Sequence, residues 1–324
     1  MGEICAGWGM KANMWSILMN SNTQWVLIST MILGIAAGMV GCLAYWKKQS
    51  LMSDALAHAA LPGVVITFLL IGEKNLFMLV IGAAISALIG AFFIQWIQSS
   101  TRISEDTSMG MVLSVFYGLG IMLLTIVNQS AGGNQAGLDS FIYGQAAAMV
   151  QSDVYTMIGL ALLVIIIIFT GFKEWKIYLF DPSFAKGQGL PLKGMNILYT
   201  AVLVTTIVIG IQAVGVILIA ALLIIPSVSA RYWTHSFKMM LLVSGVFGGS
   251  AGIAGTMIST MGSGWPTGPF IVVVASGMFA VSLVFGKERG ILIKYLQFKA
   301  RQRQVGAQQA ATNLQQRGLE EVGK

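Results

Sequence analysis

Residues 51–71 read LMSDALAHAALPGVVITFLLI. An apolar run of about 20 residues is what a helix needs to cross a bilayer. A soluble strand would be far shorter, and a barrel strand would alternate apolar with polar residues. The run is therefore predicted to be a membrane-spanning helix. It also carries one acid, Asp54, and one histidine, His58, inside an otherwise apolar stretch.

Similar runs recur on both sides, at 24–45, 75–97, 109–128, 154–172, 195–225, 239–261 and 269–285. Composition agrees with them. Of 324 residues, 56% are hydrophobic and only 10% are charged, with a mean hydropathy of +0.80. About a quarter of a soluble domain is charged, so a soluble enzyme and a disordered chain are excluded. Cys5 and Cys42 are the only cysteines, and Cys42 lies within the first run, which argues against a disulfide framework. The expected fold is all-α, a polytopic membrane helix bundle of eight to nine transmembrane segments.

The basic residues predict an orientation. Cytoplasmic loops carry the excess of Lys and Arg. With the N-terminus outside and the C-terminus cytoplasmic, 17 of the 19 basic residues fall inside, leaving Lys11 and Lys74 outside. The net charge of +7 is then an orientation signal and calls for no nucleic acid. The same rule makes 195–225 cross an even number of times, because Lys193 and Arg231 both belong inside. Two halves of about sixteen residues would each reach about 24 Å, short of the roughly 30 Å core. A hairpin reversing near Gly210, Gln212 and Gly215 is expected, with at least one half shielded by protein. Residues 1–23 are expected to be extracellular, 24–286 to form the membrane domain, and 287–324 to be a flexible cytoplasmic tail. Residues 138–150 are too short to span and are expected to be an extracellular amphipathic or re-entrant helix.

Asp54 and His58 carry the chemistry. Their i, i+4 spacing puts both side chains on one helix face. Small neighbours (Ser53, Ala55, Ala57, Ala59, Ala60) leave room beside them, and Pro62-Gly63 favours a kink that frees nearby carbonyls. Ionisable groups at membrane depth are costly and usually face a pathway. A carboxylate with an imidazole suits manganese, iron or zinc. One pair offers only two ligands, so a second copy, carbonyls or water must complete the shell. The competing structural reading makes Asp54 an N-cap and His58 a hydrogen-bonded histidine joining two helices.

Two other features are less specific. PSVSARYWTHSFK (226–238) suits a short docking helix, or an ordinary basic loop. Gly34-xxx-Gly38 and Gly245-xxx-Gly249 would permit close helix approach. The chain has no G-x-x-x-x-G-K-[ST], so it does not itself hydrolyse nucleotide through a P-loop.

The run SLMSDALAHAALPGVV (50–65) resembles the signature of ABC-type permeases for manganese, zinc and iron. Further segments agree in order: SEDTSMGMVLS (104–114), GNQAGLDSFIYGQA (133–146), AVGVILIAALLIIPSVSAR (213–231) and WPTGPFIVV (265–273). Ser53 stands where many relatives have glycine. The resemblance implies a multi-pass permease of the bacterial plasma membrane, most like the manganese importers. It implies a second permease copy, two cytoplasmic ATP-binding subunits that hydrolyse ATP, and an extracellular metal-binding lipoprotein. The chain would be a transport subunit and not an enzyme, with Mn(2+), Zn(2+) or Fe(2+) as cargo and no resident cofactor. Asp54 and His58 would line the metal path. Pro226, Ser227, Arg231 and His235 would belong to the segment coupled to the ATPase. A zinc or ferrous iron importer of the same family is the alternative, and an ATP-independent metal channel or carrier is the rival class. A carrier driven by protons would be expected to show more intramembrane carboxylates than this one.

Overall fold

The computed structural model of the chain describes residues 21–71, 76–130, 144, 151–262, 265–295, 297 and 302. Among these, all regular structure is helical. The elements are α1 (Ser21–Trp46), α2 (Ser50–Ile71), α3 (Leu76–Ser100), α4 (Glu105–Ser130), α5 (Gln151–Thr170), α6 (Phe172–Phe180), α7 (Pro182–Gly187), α8 (Leu192–Val214), α9 (Val216–Arg231), α10 (Phe237–Thr260) and α11 (Thr267–Phe285). Of the segments expected at 1–23 and 138–150, the motif at 133–146 and the tail at 287–324, residues 1–20, 133–143, 145–150, 296, 298–301 and 303–324 lie outside the described residues.

Seven helices, α1 to α4, α8, α10 and α11, are long and apolar enough to cross a membrane. An eighth span requires α5 together with α6, which bends away from it by 69°. The expected hairpin is present but divides unequally. α8 takes 23 residues, a full crossing, and α9 keeps only 16, about 24 Å of rise. The break falls at Gly215, whose φ of 95° is left-handed backbone that glycine adopts without a Cβ clash. The Ile219 side chain then folds back onto Gly210, whereas a continuous helix would hold nine residues about 13.5 Å apart. α9 buries Ile219, Leu222, Leu223, Ser227 and Ser229, so protein shields the short half, as expected.

Both ends of this hairpin meet the same place. The Lys47 ammonium donates to Asn196 at the start of α8. The Arg231 guanidinium at the end of α9 lies 5.0 Å over the Trp46 ring. Trp46 also packs 4.5 Å from Phe180, Gln49 donates to Glu105 at 3.0 Å, and the Glu288 amide donates to the Tyr232 carbonyl at 3.0 Å. The basic loops therefore gather at one end of the bundle, which is what a single orientation signal requires.

α1 and α10 form the central pair. Gly34 and Gly38 of α1 meet the backbone of Gly248 and Ser244, and Gly252 meets Thr30. A Cβ on Gly34, Gly38 or Gly248 would collide with backbone that cannot move aside. The closest line on α10 is thus Ser244, Gly248 and Gly252. It sits one residue off the expected Gly245–Gly249 pair, which instead receives the side chains of Ile35 and Met39. Close backbones permit short polar contacts: Ser244 donates to the Gly38 carbonyl, and Thr256 and Thr30 hydroxyls lie 3.0 Å apart. α4 lies at the other extreme and buries only a stripe through Ser108, Met109, Val112, Gly120 and Val127.

Candidate metal path

α2 is clamped by α3 through small residues. Gly63 faces the backbone of Gly82, Gly90 faces Ala59, and the Ser86 hydroxyl donates to the Ala59 carbonyl at 2.6 Å. The helix runs from Ser50 to Ile71 with Pro62 inside it. Proline still has no N–H to give, and the carbonyl of His58, four residues back, loses its usual intrahelical donor.

Asp54 and His58 come together as the spacing requires. His58 Nε2 lies 3.5 Å from Asp54 Oδ1, and the side chains are 15% and 37% exposed respectively. α2 begins at Ser50, which makes Asp54 the fifth helical residue and removes the N-cap reading. His58 Nδ1 is buried without a hydrogen-bond partner among the described residues, so only Nε2, beside Asp54, is paired. A buried imidazole nitrogen with no partner is costly.

The composition of the site also includes Tyr117 of α4. Its ring lies 4.8 Å from the imidazole at 73°, an edge-to-face contact that fixes the histidine's orientation. Tyr117 was not legible from periodicity: it falls three residues beyond the 104–114 motif, and only helix packing brings α4 against α2. Tyr117 is itself exposed. Among the described residues, no group of three or more His, Cys, Asp or Glu could hold a metal ion. Among the described residues the site has two side-chain ligands, a partly exposed Asp54 and a largely buried His58 that Tyr117 of α4 covers on one side.

Residues 19–286 match the ABC 3 transport family. The chain belongs to that family. As an ABC 3 protein it is a multi-pass membrane subunit of a transport system. It is 42% identical over 300 residues to the manganese transport system membrane protein MntC of Bacillus subtilis, covering 93% of this chain and 69% of that one. It is 41% identical over 269 residues to the zinc transport system membrane protein TroC of Treponema pallidum, covering 83% and 90%. The solved structure of PsaBC from Streptococcus pneumoniae in complex with a Fab superposes with a TM-score of 0.76 at 31% identity, over 89% of this chain and 99% of that one.

The four residues expected at the ATPase lie in different settings. Pro226 and Ser227 are buried within α9, and the Ser227 hydroxyl donates to the Ile224 carbonyl at 2.7 Å. Arg231 turns back over Trp46 and donates to the Thr234 carbonyl at 3.3 Å. Only His235 is well exposed, and it pairs with Glu288 at 3.0 Å. Trp233 Nε1 donates to the Ser282 hydroxyl at 2.9 Å. The loop after α9 is therefore tied to the end of α11 on one side and to the end of α1 on the other.

Proposed function

We propose that this chain is the permease of an ATP-driven importer of a divalent transition metal, manganese first among candidates, in a bacterial plasma membrane. The observation that carries the reading is the Asp54–His58 pair on one helix face, with Asp54 partly exposed and His58 Nδ1 buried without a hydrogen-bond partner among the described residues. A second copy of the chain packed against that face would bring a second pair, giving four ligands near a two-fold axis. The freed His58 carbonyls and water would suit the higher coordination of manganese. A shell assembled between two copies can also be taken apart, and a transported ion must leave as well as enter.

An extracellular metal-binding protein would deliver the ion, and cytoplasmic ATP-binding subunits would push on the loop 231–237. The ties from that loop to Trp46 and to Ser282 and Glu288 support this reading, because a push there acts on α1 and α11 together. Metal competes with metal in such a site, and relatives named for manganese and for zinc both stand close to the chain. One imidazole and one carboxylate, with no thiolate, suit manganese, iron or zinc alike, and the likeness to manganese transport proteins puts manganese first.

The test is metal uptake in cells lacking their own importer, with the chain expressed beside its ATPase. Asp54→Ala and His58→Ala should each lose manganese uptake while the protein still folds and reaches the membrane. Normal uptake in both variants removes the pair from the path. Uptake that zinc, and not manganese, competes away would reassign the cargo.

A further inference from the structure

At the basic end of the bundle, two open cavities lie on either side of the start of α8. One, of about 530 Å³, is lined by Lys47, Lys48, Lys193 and Asn196 among others. The second, of about 570 Å³, shares Lys193 and Asn196 and continues along Trp96 of α3 and Ile197 of α8. The two thus join a cationic half to a more apolar half, in which Phe92, Trp96 and Ile197 are interspersed with Gln95, Gln98 and Ser99. Trp96 and Ile197 are strongly exposed although they belong to helices that cross the membrane. A tryptophan and several lysines at a helix end mark the level of lipid head groups.

Lys48 adds an independent observation. The end of α1 is a Schellman turn, with Gln49 N–H on the Ala44 carbonyl and Lys48 N–H on the Tyr45 carbonyl. The residue at Lys48's place in that turn is usually glycine, because the backbone there is left-handed. Lys48 has φ 61° and is the only non-glycine residue with positive φ among the described residues. The chain thus carries a strained backbone at the rim of this cavity and gains a charge there. An observed outlier of this kind points toward function.

We propose that the paired cavities hold an anionic phospholipid. Its phosphate would lie among Lys48, Lys193 and the inner Lys47, and its upper acyl chain along Trp96 and Ile197. A free phosphate would use only the cationic half. A soluble protein partner would not use the apolar half, which lies on two membrane-crossing helices. Each basic residue near a membrane surface strengthens attraction to anionic lipid severalfold.

The test uses the full-length protein in nanodiscs and in detergent. Native mass spectrometry counts retained phosphatidylglycerol against phosphatidylcholine, and thermal unfolding is followed with each lipid and with inorganic phosphate. Wild type should prefer phosphatidylglycerol, which should raise its melting temperature. Phosphatidylcholine and inorganic phosphate should not raise it. Lys48→Gly and Lys193→Gln should each weaken the preference about fivefold. Lys48→Gly should do so with no loss of basal thermal stability, since glycine relaxes the left-handed turn. If Lys48→Gly fails to fold, Lys48→Asn, also tolerant of that backbone, carries the same test. An unchanged lipid preference in both positions overturns the proposal. So does equal stabilisation by inorganic phosphate, which would mean a free-anion site. Protection of Lys48 and Lys193 from acetylation only when an ATP-binding subunit is added would assign the cavities to a protein contact, and would also overturn it.

Discussion

The ring of Tyr117 lies edge-on to the imidazole of His58, 4.8 Å away and on a different helix. The histidine that the sequence marks is thus held from one side by its own helix, through Asp54, and from the other by α4. Tyr117→Ala should leave His58 free to rotate and lower manganese affinity about tenfold, the lower end of what loss of an orienting partner costs. Tyr117→Phe keeps the ring contact and should transport nearly as wild type. Uptake kinetics at graded manganese concentration measure both, and equal defects in the two variants would assign the effect to the hydroxyl.

Gly248 and Gly277 make a matched pair for packing. Gly248 meets the Gly34 carbonyl across the α1–α10 contact, whereas nothing lies within 4 Å of a Cβ placed on Gly277. Gly248→Ala should destabilise the protein by about 1–3 kcal/mol through overpacking against backbone. Gly277→Ala should cause no loss. Thermal unfolding in a mild detergent separates them.

Lys47 predicts a pH dependence. It sits just beyond the end of α1, where burial, opposed by the charge of Glu105, lowers its pKa from 10.5 to about 8. Between those values the unfolded chain keeps a proton that the folded chain has released. The unfolded state then binds more protons, so stability should rise as pH increases from about 8 to about 10.5. Lys47→Met should flatten that rise. Unfolding midpoints at pH 8 and pH 10 check the sign, and a fall in the wild type would contradict it.

Arg231 lies over Trp46, so its part in coupling would be to anchor the loop. Arg231→Glu removes a cation–π contact of about 1 kcal/mol and should lose ATPase stimulation and uptake together. Trp46→Ala should give the same phenotype without touching the loop. Glu288→Gln breaks the half-exposed pair with His235, and such pairs contribute about 0–1 kcal/mol. Its melting temperature should therefore hardly change, and any defect should appear in stimulation alone.

Much of the site was legible because charge is scarce in this chain. One acid and one histidine in a 21-residue apolar run cannot be solvated by chance, and their i, i+4 spacing sets their distance on any helix. The partners of His58 were not legible. Tyr117 is 59 positions further on, and nothing in its local pattern distinguishes it from a lipid-facing tyrosine. The coupling segment shows the same limit. The segment 226–238 reads as a short docking helix or a basic loop, whereas α9 continues through Pro226 to Arg231 and buries Pro226, Ser227, Ser229 and Ala230.

The sequence by itself determined the all-helical membrane class, the gathering of basic loops at one end and the pairing of Asp54 with His58. Each of these follows from local chain length, hydropathy or helix period, which act within a few turns. Tertiary structure decided the unequal division of the 192–231 hairpin, the one-residue offset of the α1–α10 glycine line and the contact of Tyr117 with His58. Those outcomes depend on which helix faces can approach without a Cβ between them, and on where a single left-handed glycine lets the chain turn back.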